Sequence, residues 1–257
     1  MMLADVFRAS EFGREDFTTN ERDTPLVLQF AANNYKDFSE AAEIVAPYVD
    51  GLDLNCGCPQ KWAIKEGYGS YLLDKPEKVA DMVRAVKNRV NIPCSIKIRK
   101  LNNPSDTIEL VRRAEAANVD WITIHGRTKK QSSSEPVDMD IIKLVKQVAT
   151  VPVIANGGVF TFEQASLLSQ YTGVDAVMSA RGLLQNPALF SGYDVTPLQC
   201  IKKFGIYQTK TIKSWSLPAS KSSSSRVHQE KAKKEFQTWN IAALFGGLVS
   251  GSYLRDK

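Results

Sequence analysis

Short apolar runs recur along the first two-thirds of the chain, beginning near Leu26, Gly51, Cys94, Trp121, Val151 and Val174. Each is only as long as a strand, and each is followed by a polar turn and then by apolar positions at helical spacing. Phe38, Ala41, Ala42 and Val45 form the first such stripe, and Val79, Met82, Val83, Val86 and Val90 the second. Ile108, Val111 and Ala114 form a third, and a fourth lies between Ile141 and Val148. Boundary residues sharpen these helices. Asp74 with Pro76, Ser105 and Asp138 are read as starts, Thr161 with Gln164 as a capping box, and Gly173 as a stop. Before Leu26 the pattern predicts a short helix over Ala4 to Ala9 and no strand. The units average about 30 residues, the rhythm of parallel strands joined by right-handed crossovers.

That rhythm fits either a doubly wound open sheet or a closed (β/α) barrel. The polar residues decide between them. Gln29, Asn55, Lys97, His125, Asn156 and Arg181 stand at or just past the ends of successive strands. In a barrel those ends meet at one mouth, whereas an open sheet concentrates ligands at a single switch point. The expected fold is therefore α/β, a (β/α)8 barrel with six of its eight strands visible.

Composition changes this picture little until the tail. The 257 residues, 43% apolar, suffice for one large core, and a net charge of +5 permits a polyanionic partner without requiring one. Four cysteines and two histidines leave no complete zinc site in view, and no metal is expected. With no apolar run of spanning length and no secretory leader pattern, the expectation is an intracellular protein without a membrane partner. Residues 1–199 read as the catalytic unit. Residues 200–257 shift to a basic, serine-rich composition that suggests a flexible appendage.

The candidate chemistry centres on Gly51 to Leu73. There an apolar strand ends in Asn55 and turns through Cys56-Gly57-Cys58-Pro59. Glycine frees this turn and proline fixes it, so Cys58 is presented by stiff backbone, as a nucleophile or as a proton donor. Cys56 is read as packing. Ser95, Lys97 and Arg99 alternate with Ile96 and Ile98, so a lysine on the inner face needs a counter-charge or an electron-rich ring. Asn156-Gly157-Gly158 and Ala180-Arg181-Gly182 close the last two visible strands. Exposed backbone N–H groups beside an arginine, at the place where barrels hold phosphate, point to a phosphorylated ligand. No GxGxxG or GxxxxGK[ST] pattern is present, which favours a mononucleotide-like cofactor or a sugar phosphate.

Taken in order, Asn55-Cys56-Gly57-Cys58-Pro59 with Gly69-Ser70-Tyr71-Leu72-Leu73, Lys97-Ile98-Arg99, His125-Gly126-Arg127-Thr128, Asn156-Gly157-Gly158 and Ala180-Arg181-Gly182 with Asn186-Pro187 resemble the tRNA-dihydrouridine synthase family. The likeness runs over about residues 2 to 202 and is greatest to the eukaryotic branch that acts on D-loop uridines 20a and 20b. It implies an FMN-dependent barrel that reduces a uridine of tRNA with NADPH or NADH as electron source, working as a monomer in the cytoplasm or nucleus. It implies Cys58 as general acid. Gln29, Lys97 and His125 would lie around the flavin ring, with Asn156, Gly157, Gly158, Ala180 and Arg181 at the phosphate and ribityl end. Asn55 and Arg127 would face the substrate. Lys61, Lys65, Arg127, Lys129 and Lys130 are candidates for backbone phosphates. The family pattern also begins with a strand and helix that do not precede Met1, so an incomplete barrel of doubtful activity is expected. Rival readings are a flavin barrel acting on a small molecule, a non-catalytic tRNA-binding remnant and a sugar-phosphate isomerase.

Overall fold

The computed structural model describes residues 1–202. The expectation for the basic, serine-rich tail therefore lies outside the described residues, apart from 200–202. Seven strands form a single sheet in sequence order, every neighbouring pair parallel. They are β1 (Met2–Leu3), β2 (Val27–Ala31), β3 (Gly51–Cys56), β4 (Cys94–Arg99), β5 (Ile122–His125), β6 (Val153–Asn156) and β7 (Ala176–Met178). Helices α1 (Ala4–Ala9), α2 (Tyr35–Val45), α3 (Lys61–Lys65), α4 (Pro76–Arg89), α5 (Pro104–Ala116), α6 (Met139–Val148), α7 (Phe162–Thr172) and α8 (Arg181–Gln185) alternate with them. This is a partial (β/α)8 barrel, with seven strands among the described residues.

β1 corrects the sequence reading. Two residues are too few to show alternation, yet Met2 and Leu3 pair in register with Phe30 and Ala31. Two helix starts also differ. Lys75, not Asp74, precedes α4, because Asp74 reaches instead to Lys129, 2.9 Å away. Asn103, not Ser105, caps α5 and accepts from the Ser105 N–H. Asp138 caps α6 as expected, and the Thr161–Gln164 capping box opens α7, which Gly173 closes at φ 70°.

The sheet has an outer and an inner face. Outward, Leu52, Leu54, Ile96, Ile98, Ile122, Ile124, Val153 and Ala155 pack with the buried stripes of the helices in the main core. Inward, register partners share a face and make rows. Gln29, Asp53 and Ser95 are partners in one row, and Asn55, Lys97, Thr123 and Ile154 in the next. Arg99, His125, Asn156 and Met178 form the row nearest the strand ends. Trp121, Ile154 and Ala176 pack with Val27 and Met178 as an apolar floor that takes Ile154 and Met178 from these same rows. Gly51 makes room for it: a Cβ there would lie 3.2 Å from the tip of the Trp121 ring.

Candidate functional site

The Cys58 turn is built by Asn55. Its Oδ1 accepts from the N–H groups of Gly57 (3.1 Å) and Cys58 (2.9 Å), and its Nδ2 donates to Gln29 Oε1 at 2.8 Å. The Cys58 carbonyl accepts from Ser70 N–H at 2.9 Å, so the Gly69–Leu73 segment backs the turn. Gly69 makes this fit possible at φ 60°, where an added Cβ would stand 2.7 Å from the Cys58 carbonyl oxygen. Arg99 braces the other side, its Nε donating to Gly57 O at 2.9 Å and its Nη1 to Thr128 O at 3.0 Å. Cys58 is partly exposed, while Cys56 is fully buried and its thiol is pushed well above the ordinary range by burial.

Lys97 stands between that turn and His125. Burial lowers its pKa to about 8, with Asp53 opposing the shift, Arg99 adding to it and Cys58 near enough to favour the charged form. Asp53 is the anchor that the sequence reading missed. Its carboxylate accepts from Ser95 Oγ and Gln29 Nε2, both at 2.6 Å, and burial raises its pKa despite those bonds and Lys97. The available signal was one acid inside the apolar run of β3. The chain Asn55–Gln29–Asp53–Ser95 thus ties the turn to the inner wall under Lys97.

Across the mouth, His125, Arg127, Asn156, Gly157, Gly158, Ala180 and Arg181 line one cavity of about 180 Å³. His125 Nδ1 accepts from the Arg127 N–H at 3.2 Å, leaving Nε2 as the protonated nitrogen of a neutral ring. Burial first, then Arg99, Lys97, Arg127 and Arg181, drive its pKa down to about 3. Gly157 (φ 116°) and Gly158 (φ 73°) occupy backbone regions that glycine favours, and a Cβ on Gly157 would come 3.2 Å from the His125 ring. Asn156 Nδ2 donates to Met178 O at 2.9 Å, and Ser179 Oγ donates to Val159 O at 2.8 Å, which draws the two loops together. The Arg181 guanidinium lies 5.1 Å from the centre of the Phe160 ring.

The eleven predicted site residues therefore fall into two adjoining groups on the inner face and mouth. Asn55 and Arg127, expected to face the substrate, each also hold the local structure. Asn55 uses its side-chain oxygen inside the turn, and Arg127 is 5% exposed with Nε donating to Glu135 O at 2.6 Å. Lys129 is likewise engaged, by Asp74. No group of acidic, histidine and cysteine side chains suited to a metal ion occurs among the described residues, and no described helix is long and apolar enough to cross a membrane.

Polar rows on the inner face, a cationic glycine-rich cradle after the last two strands and a backed thiol turn define an α/β-barrel protein with a polar mouth. Comparison with known proteins makes this specific. The chain belongs to the dihydrouridine synthase (Dus) family, whose profile matches residues 1–237. It is 50% identical over 204 residues to the mouse (Mus musculus) tRNA-dihydrouridine(20a/20b) synthase [NAD(P)+]-like protein, covering 78% of this chain and 63% of that one. It is 44% identical over 211 residues to the Schizosaccharomyces pombe tRNA-dihydrouridine(20a/20b) synthase [NAD(P)+], covering 81% and 65%. The chain thus spans just under two-thirds of the length of these curated relatives. A crystal structure of DHODH from Eimeria tenella in complex with ferulenol shares the fold at a TM-score of 0.54 and 13% identity, over 79% of this chain and 63% of that one.

Proposed function

We propose that this chain carries the catalytic face of a tRNA-dihydrouridine synthase, acting on D-loop uridine of the 20a/20b type. The observation that carries this reading is the meeting of the Cys58 turn and the cationic 157–158 and 180–181 cradle across Lys97, on one inner sheet face. The cradle fits a flavin mononucleotide phosphate: its glycines leave the space that a Cβ would fill, and its walls carry Arg127 and Arg181. Gly157, Gly158, Ala180, Arg181 and Asn156 would hold the phosphate end, and Gln29, Lys97 and His125 the ring. FMN, once reduced by NADPH or NADH, supplies the hydride for uracil C6.

The residues of the chain do the rest. As negative charge develops toward C5 and the C4 oxygen, the Cys58 thiol gives its proton to C5. Lys97, with a pKa of about 8, remains mostly protonated at neutral pH and supplies positive charge beside that centre. His125 is neutral and donates from Nε2 without competing for the proton. Asn55 holds the thiol turn in place beside the base. A uridine in a loop leaves its stack more cheaply than one in a duplex, which suits the D-loop.

The test is to load the full chain with FMN, incubate it with NADPH and undermodified tRNA, and map dihydrouridine. The reading predicts product at a D-loop uridine and a retained yellow flavin band. A folded protein that stays colourless when FMN is supplied, or unreduced tRNA with flavin bound, counts against it.

A further inference from the structure

Three large aromatic side chains, at the start of α2, in α3 after the Cys58 turn and in the Gly69–Leu73 segment behind that turn, face solvent instead of the core. Tyr35 is 61% exposed, Trp62 46% and Tyr71 37%. A small node links the chain segments that carry them. Asn33, two residues before Tyr35, donates its Nδ2–H to Glu66 O at 2.9 Å. A Cβ on Gly67 would sit 3.5 Å from Asn33 Cβ and 3.8 Å from the Tyr71 ring. α3 begins just after the Cys58-Pro59-Gln60 turn and buries only Ala63, so its indole is turned outward and its Nε1–H bonds back to Gln60 Oε1.

The charges around these rings favour a polyanion. Lys61 and Lys65 flank Trp62 and enter no ion pair among the described residues, while Lys78 lies 5.7 Å from the centre of the Tyr71 ring. The acids nearby are mostly spoken for: Asp74 pairs with Lys129 and Glu77 with Arg113, which leaves Glu66 on the intervening turn against the two lysines. A flat ring beside a free ammonium, repeated over a few residues, is the chemistry that grips unstacked bases and their phosphates.

We propose that Tyr35, Trp62 and Tyr71 form a stacking platform for unpaired RNA nucleotides adjoining the reactive one, with Lys61 and Lys65 taking the phosphates between them. This rests on the tRNA reading above and adds the means by which the neighbouring loop is held once the target base is drawn in. The platform is separate from the cavity at the 157–158 and 180–181 loops.

The test measures affinity of the full chain for a labelled, undermodified tRNA transcript by anisotropy, with flavin retention and melting temperature as checks of fold. W62A is expected to weaken binding about 5- to 150-fold, and W62F, which keeps a ring, to restore most of it. K61Q/K65Q is expected to lower affinity and flatten the salt dependence. Equal affinity of W62A and the wild-type chain overturns the platform while leaving the tRNA reading intact. If the wild-type chain does not bind the transcript, both fall. If W62A instead breaks up a self-associated form seen by sedimentation and leaves RNA affinity unchanged, the face belongs to a second copy and the platform is overturned.

Discussion

Cys58 and His125 flank Lys97 and answer to different physics. The thiol is held by backbone, so Cys58→Ala should keep fold and flavin and lose about 10² to 10⁴ in dihydrouridine formation. Mapping of the tRNA product checks this, and near-full turnover would remove the thiol from the mechanism. His125 is governed by burial and four cations. Its folded pKa of about 3 lies below the ordinary 6.5, so between those values the unfolded chain holds a proton that the folded chain lacks. Its contribution to stability is then complete above about pH 6.5 and declines as pH falls toward 3. Denaturant titrations across that window should show a flatter acid limb for His125→Asn than for the wild-type chain. An anion in the cradle should move the His125 NMR titration upward. Asp53 is the third case. Its removal leaves the Gln29 and Ser95 donors without their acceptor, so Asp53→Ala is expected to cost about 1–3 kcal/mol per stranded donor by chemical denaturation.

At the scale of elements, the Gly69–Leu73 segment and the Cys58 turn behave as one piece. Gly69→Ala must strain a left-handed backbone and push a methyl against the Cys58 carbonyl. Product formation should therefore fall well beyond the modest loss of stability, read by comparing turnover with melting. Thr161→Ala, which removes the α7 cap next to the cavity-lining Phe160 without touching the Cys58 turn, should cost about 1 kcal/mol in melting. The contrast also marks what the sequence discloses. The Thr161 and Asp138 caps were legible because side chain and backbone partner lie three residues apart. Asp74 was misread because its partner, Lys129, is 55 residues distant. Asp53 went unnoticed for the same reason, with partners 24 and 42 residues away. The strand ends, by contrast, announced the mouth, since parallel connectivity alone sends Gln29, Lys97, His125 and Asn156 to one face. That the Asn55 amide oxygen and the Arg127 Nε would be used within their own loops was not visible, because spacing gives a residue's place and not its partners.

For the molecule as a whole, seven parallel strands leave β1 and β7 as the outer members of the described sheet. Stability then leans on whatever joins loops from opposite sides of the mouth, and a ligand bound to both groups does so. FMN at about 100 times its dissociation constant should add about 2.7 kcal/mol, seen as a rise in melting temperature that inorganic phosphate reproduces only in part. No shift with saturating FMN would argue that the cradle and the ring-side residues do not act together.

The apolar floor has a consequence for timing. Trp121, Ile154 and Ala176 pack as an apolar cluster on the inner side of the sheet, and burial already holds Lys97 to a pKa of about 8. A nucleobase bound as proposed, shielding Lys97 from solvent, would leave the lysine with whichever charge it carried on entry. Near pH 8 the population would divide into competent and idle encounters fixed before any bond changes, and turnover would fade on the alkaline side as a loss of productive arrivals, not as a slower reaction in each.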